Sequence, residues 1–202
     1  WFHYTGITPA ISQSAADQCL EGIRTARRNG ITVSGDINYR RNLWQYGKSA
    51  LEVMPDLIAL TDVVVAAEAD MENCCDIRAD SFQEACSSLA KKFPVVKKIA
   101  TTRRQTITSS HNKITGLLWN RVSVIESRTY DLSHIVDRVG AGDAFMAGLI
   151  YGSLHGDSDE HSIEFATAAC AWKHGIEGDV NLASVEEINN LVKGENVGKL
   201  LR

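Results

Sequence analysis

The spacing of apolar residues changes period several times along the chain, and each change predicts an element. Residues 1–5 (WFHYT) form a short apolar run, as in a strand. From Ser12 or Ser14 to about Arg28, Ala16, Leu20, Ile23 and Ala26 recur three or four apart, predicting a helix stopped by Asn29-Gly30. Residues 31–38 (ITVSGDIN) predict a strand that runs out into polar residues. A helix is expected from Ser49 to about Leu60, with Pro55 either kinking it or opening a separate helix. The continuous apolar run DVVVAA (62–67) suits a strand covered on both faces. Ser81-Phe-Gln-Glu84 is a capping box that starts a helix to about Phe93. VVKKIATT (95–102) predicts a strand, and the runs TITSS, ITGLLW and RVSVIE, parted by HNK and NR, predict a β-meander over 106–126. Helical spacing returns over 142–155, 159–174 and 184–192, the last opened by the capping box Ser184-Val-Glu-Glu187.

Alternating strands and helices with a late β insert predict an α/β fold, a three-layer α/β/α sheet covered by helices on both faces. Without repeats, low-complexity tracts or a linker, residues 1–202 read as one domain. The chain opens without Met on a strand-like run that belongs inside a sheet, so the expectation is a processed or trimmed chain, or an absent N-terminal part. Ligands of such sheets bind beyond the carboxyl ends of the strands. Those ends carry GDINYRRNLW, AAEAD and TTRR, while the glycine turn VGAGD enters a helix.

Composition narrows the partners. A net charge of −4 argues against a general nucleic-acid or anionic-membrane surface, and no apolar run reaches membrane-spanning length. Five cysteines without framework spacing suggest reduced thiols and a cytoplasmic setting. Cys74 and Cys75 have no second pair for a zinc site and read as a half-buried helical pair. The six histidines form no i, i+4 pair, so His111, His134 and His161 read as structural or surface residues.

The stretch IVDRVGAGDAF (135–145) carries the candidate chemistry. Small residues at Gly140, Ala141 and Gly142 let the backbone approach a ligand and aim several N–H groups at one point, as an anion requires. Asp143 then lies in the first turn of a helix. It is either an acidic residue favoured by the helix dipole or a base facing a phosphoryl group.

D-R-V-G-A-G-D-A-F resembles the second signature of the ribokinase-like (PfkB-type) sugar kinases, whose usual form is D-T-x-G-A-G-D. With Arg138 in place of Thr it is similar to the 2-keto-3-deoxygluconate kinase branch. WFHYTGITPAIS, SGDINYRRNLW, TTRRQTITSSHN and WKHGIEGDVN follow in that family's order over nearly the whole chain. The resemblance implies a ribokinase-like fold whose upstream sheet strands and β lid are absent here. It also implies an ATP- and Mg2+-dependent kinase for a small-molecule sugar acid, with a monovalent cation such as K+ as a further cofactor and a homo-oligomer at full length.

The same resemblance assigns roles. Asp143 is the catalytic base, and Gly140, Ala141 and Gly142 form the anion hole. Arg40 grips the substrate carboxylate, which its two-pronged guanidinium suits, and Asp36 and Asn38 shape the turn that aims it. From their place after a strand, not from the family pattern, which often has lysine and glycine there, Thr101, Thr102 and Arg103 are candidates for the ATP phosphates; the resemblance points to Lys173, His174 and Gly175 for the rest of the nucleotide. Asp137 is either a turn-forming residue or a member of the metal region. Where relatives have Asn-x-x-Glu, this chain has Ala67 and Asp70, which leaves Asp70 or Glu68 as the metal candidate. The rival readings are a kinase for a neutral sugar such as fructose or ribose and a non-catalytic sugar- or nucleotide-binding relative.

Overall fold

The structure is a computed structural model and describes residues 1–194. The chain divides into two compact units: residues 1–101 with 119–124, and residues 102–118 with those from 125 onward.

In the first unit, strands β1 (Phe2–Thr5), β2 (Val33–Asp36), β3 (Val63–Val65) and the start of β4 (Lys98–Thr108) pair in that order, all parallel. The register sets Tyr4 beside Gly35, and a β-carbon on Gly35 would collide with the Tyr4 ring. Helix α1 (Ile7–Ile11) follows β1 and was not expected, since Gly6 offers no side-chain cap. Helix α2 (Gln13–Arg28) begins where Ser12 predicts it, with the Ser12 hydroxyl accepting the Ala15 N–H at 3.1 Å. Its apolar stripe, Ala16, Cys19, Ile23 and Ala26, packs with Tyr4, Val33, Val53 and Leu57 into one core. Residues such as Ile23 and Leu57, almost fully buried there, each contribute roughly 1.5–3 kcal/mol.

Helix α3 (Ala50–Ile58) carries Pro55 inside one continuous element, so Pro55 does not open a separate helix. Helix α4 (Glu68–Cys75) follows β3; its start was not anticipated, but Cys74 and Cys75 are helical as expected, and both are buried completely rather than by half. Helix α5 (Phe82–Lys92) starts from the expected cap, Ser81 Oγ accepting the Glu84 N–H at 3.2 Å.

In the second unit, β4 runs on to Thr108 and turns at Ser109-Ser110 into β5 (His111–Trp119). The expected meander is therefore one long hairpin: TTRR lies inside a strand, not beyond its end, and HNK belongs to β5. The short strand β6 (Val124–Glu126) continues the hairpin, and β7 (Tyr130–Leu132) pairs antiparallel with β5, Ile114 opposite Tyr130. Helices α6 (Ala141–Leu154), α7 (Asp159–Lys173) and α8 (Val185–Val192) complete it. Close packing of α6 on α7 depends on Gly148 and Gly152, where added β-carbons would meet Ala166 and Ser162.

Candidate active site

The glycine turn of the second unit is built by a carboxylate clamp. Asp137 Oδ1 accepts the Val139 N–H at 3.0 Å and Oδ2 accepts the Gly178 N–H at 3.0 Å. The Val139 amide, then the Gly178 amide, hold this carboxyl below the usual carboxylate range. The backbone adds two more ties, since the Val136 and Asp137 amides both donate to the His174 carbonyl, at 2.8 and 3.3 Å. The loop before α6 is thereby fastened to the loop after α7.

Gly140 is the N-cap of α6, with φ 78°, a backbone state that disfavours any side chain. A β-carbon there would also strike the Asp179 carbonyl. Gly142 differs: a β-carbon on it would meet nothing within 4 Å. Glycine in a helix costs about 1 kcal/mol relative to alanine, so packing gives no reason for it, whereas an open approach to the backbone does. The first amides of a helix have no intrahelical partner and favour an anion. Asp143 stands two residues into α6, exposed, and among the described residues its carboxylate takes no hydrogen bond or ion pair.

Behind the turn lies positive charge. Burial, reinforced by Arg138, Lys173 and Arg104 against a hydrogen bond to the Cys170 carbonyl, lowers the pKa of His174. Its Nδ1 lies 2.8 Å from that carbonyl oxygen, which can only accept, so Nδ1 carries the proton. Lys173 is fully buried and donates through Nζ to the Ile176 carbonyl at 2.8 Å. Of the three residues expected near the nucleotide, Lys173 and His174 thus turn inward and Gly175 alone is exposed. Arg138, the residue that marked the signature variant, donates to the Ser109 carbonyl at 2.6 Å and ties the turn to the β4–β5 hairpin. Of TTRR, Thr101 is buried, Thr102 half-buried, and Arg103 and Arg104 are exposed.

In the first unit, Asp36 ends β2 and the chain then turns through Asn38, whose φ is 39°. Arg40 is exposed at the start of the short 3-10 turn Arg41–Leu43, and among the described residues its guanidinium is unpaired. Asp70 Oδ2 accepts the Ala67 N–H, the N-cap amide of α4, at 2.8 Å, and Oδ1 accepts the Tyr39 N–H at 3.2 Å. Among the described residues no three His, Cys, Asp or Glu side chains cluster to hold a metal.

Compared with known proteins, residues 2–181 match the sequence profile described as "pfkB family carbohydrate kinase", which decides the family. The chain belongs to the pfkB family of carbohydrate kinases. Among curated members of the pfkB family, it is 28% identical over 197 residues to the 2-dehydro-3-deoxygalactonokinase of Haloferax volcanii, covering 98% of this chain and 58% of the relative. Among solved pfkB structures, the 2-dehydro-3-deoxygluconokinase of Thermotoga maritima shares 35% identity at a TM-score of 0.89, covering 96% of this chain and 60% of that one. A PfkB family carbohydrate kinase from Listeria grayi shares 33% identity at a TM-score of 0.87, covering 95% and 59%. The chain thus spans somewhat more than half the length of the relatives it matches, and their fold is the expected ribokinase-like α/β arrangement.

The Arg138 tie to Ser109 and the Tyr39–Asp70 hydrogen bond escaped the sequence reading. Their partners are 29 and 31 residues apart, and no local pattern announces such a pair.

Proposed function

We propose that the full-length protein is an ATP-dependent sugar-acid kinase that phosphorylates the terminal (6-) hydroxyl of 2-keto-3-deoxygluconate. The observation that carries this is the glycine turn: an unobstructed Gly142 and, at the start of α6, an Asp143 that is unpaired among the described residues. Membership in the pfkB family and the names of similar relatives support the same reading.

In this mechanism Asp143 accepts the proton of the substrate hydroxyl as its oxygen attacks the γ-phosphorus. The new P–O bond forms as the bond between the γ-phosphorus and the β–γ bridging oxygen breaks, and ADP leaves. The amides following Gly140 face the equatorial phosphoryl oxygens and stabilise the charge that develops there. Arg40 grips the carboxylate by two parallel hydrogen bonds, with Asp36 and Asn38 shaping its turn. Thr101, Thr102, Arg103 and the loop Lys173–Gly175 serve the nucleotide, the inward-facing members by shaping it. Asp137 keeps free lone pairs on both oxygens, enough for the one or two carboxylate contacts that magnesium takes beside phosphates. Bound there, magnesium supplies charge neutralisation of the β- and γ-phosphates. Both units, matched together by the family profile, belong to one kinase domain in this reading, and the full-length protein is a homo-oligomer.

The test is a coupled ADP-release assay on the full-length protein with Mg2+ and ATP, with and without K+, over 2-keto-3-deoxygluconate, gluconate, fructose and ribose. Turnover confined to the keto-deoxy acid supports the assignment, and turnover on fructose or ribose discards the carboxylate role of Arg40. Ala67, without a polar side chain where relatives have Asn, favours a non-catalytic binding protein as second reading. No turnover on any sugar, with ATP binding retained, selects it.

A further inference from the structure

An aspartate three residues past a helix N-cap needs one oxygen to satisfy the N-cap amide. Asp70 does this through Oδ2 and the Ala67 N–H, and its second oxygen is left over. That oxygen accepts the Tyr39 N–H at 3.2 Å, from a residue 31 positions earlier. Ile37 N–H is held by the Val65 carbonyl at 2.9 Å, so the backbone is fixed up to that point by the sheet. Beyond it, Asn38 takes φ 39°, a strained state for a residue with a side chain, and reverses the chain. Across residues 38–40, among the described residues, the Tyr39–Asp70 bond is the tie that anchors this reversal to the rest of the unit; the other, Leu43 N–H to the Arg40 carbonyl at 3.0 Å, is internal to the turn. Arg40 comes next, exposed and unpaired among the described residues.

We propose that Asp70 is a positioning residue for the sugar acid: its carboxylate fixes the Tyr39 amide and so sets the direction in which Arg40 is presented. This rests on the sugar-acid kinase reading and departs from the metal role that the sequence suggested for Asp70. A charged acceptor strengthens a hydrogen bond to a backbone amide, and α4 carries the carboxylate that makes it. A guanidinium that must meet two carboxylate oxygens at once is sensitive to the angle at which its backbone leaves the sheet.

The experiment compares wild type, Asp70→Ala and the double variant Ala67→Ser/Asp70→Ala in the full-length protein. The introduced serine restores an N-cap to α4 but offers nothing to Tyr39. The expected result for Asp70→Ala is a rise of about tenfold in KM for the sugar acid, with KM for ATP and half-saturation by Mg2+ moving by less than about twofold. Faster hydrogen exchange at the Tyr39 amide accompanies it, and the double variant recovers neither. A raised Mg2+ requirement with an unchanged sugar KM overturns the proposal in favour of a metal role. Recovery in the double variant overturns it in favour of helix capping. Wild-type protein that turns over no sugar acid defeats the kinase reading, whereas unchanged protection of Tyr39 in Asp70→Ala defeats this proposal by itself.

Discussion

Gly140 and Asp179 approach so closely that a β-carbon on the first would collide with the carbonyl of the second, while Gly142, two residues on, faces open space. The two glycines are therefore required for different reasons. Gly140→Ala combines a left-handed backbone with a clash, and a loss of about 2–4 kcal/mol is expected from the sum. Gly142→Ala removes only a glycine from the first turn of α6, so urea denaturation should show a gain of up to about 1 kcal/mol. Its turnover should nevertheless fall, because the methyl group occupies the approach to the amides. A Gly142→Ala protein that is both more stable and fully active would falsify the anion-hole role.

Asp143 is exposed and makes no bond among the described residues that folding would miss. Asp143→Asn should leave the melting temperature within about 2 °C and ATP binding intact. Turnover should drop by about two to four orders of magnitude, the usual contribution of a positioned base. Single-turnover kinetics with bound ATP isolate that step, and a near-normal rate there removes Asp143 from the chemistry.

For Arg40, the expected signature is confined to one substrate. Arg40→Ala should raise KM for the sugar acid about tenfold to a hundredfold, as loss of a charge-assisted pair does, and leave KM for ATP alone. Arg40→Lys should recover only part, since an ammonium cannot match both carboxylate oxygens. Equal losses for acid and neutral sugars would show that the residue serves the fold instead.

Asp62 offers a stability test away from the turn. It is buried, and burial is the largest effect on it, opposing ionisation. The Val33 amide at 3.0 Å, Lys97 at 3.0 Å and Arg27 at 2.8 Å outweigh this and lower its pKa. A lowered carboxylate pKa contributes stability that is present above the unfolded value, about 3.9, and lost as pH falls through the folded value. Asp62→Asn should cost about 2–4 kcal/mol at pH 7, near the low end for a broken buried pair because Arg27 and Lys97 still reach water. The gap from wild type should narrow below about pH 4, as paired urea titrations at pH 7 and 3.5 would show.

His174 works over a higher range with the opposite charge. Its lowered pKa means that the unfolded chain takes up a proton, below about pH 6.5, before the folded one does. Stability should therefore decline as pH falls below that value, by at most about 1.4 kcal/mol per pH unit from this one group. His174→Gln should flatten the decline between pH 7 and 5. An equally steep profile in the variant would assign the titration elsewhere.

How much of this the sequence disclosed depended on whether the deciding partner was local. Ser12, Ser81 and Ser184 cap the helices they announce, each within three residues of its partner amide. The period-2 and apolar runs located β1 to β3 for the same reason. The start of helix α4 was invisible because Ala67 carries no capping oxygen and the stretch mixes Glu, Asp and Asn with Cys and Met; only its Cys74–Cys75 end read as helical. The outer half of β4 was misjudged because residues 103–108 are all exposed, leaving no alternation to read. In the candidate site, the glycine turn and Asp143 were legible from one short motif. The inward turn of Lys173 and His174 was not, since the loops that bury them meet only in the folded chain.

The Asp137–Gly178 bond closes a circuit of chain that begins before α6 and ends after α7, with the tightly packed helix pair inside it. Closing such a circuit removes freedom that the open chain would regain on melting. An anion seated on the amides after Gly140 would press on the same closure from outside. Occupancy at the turn and cohesion of the two helices would then be read on one scale, with bound nucleotide acting as a fastening for the α6–α7 pair rather than as a passenger.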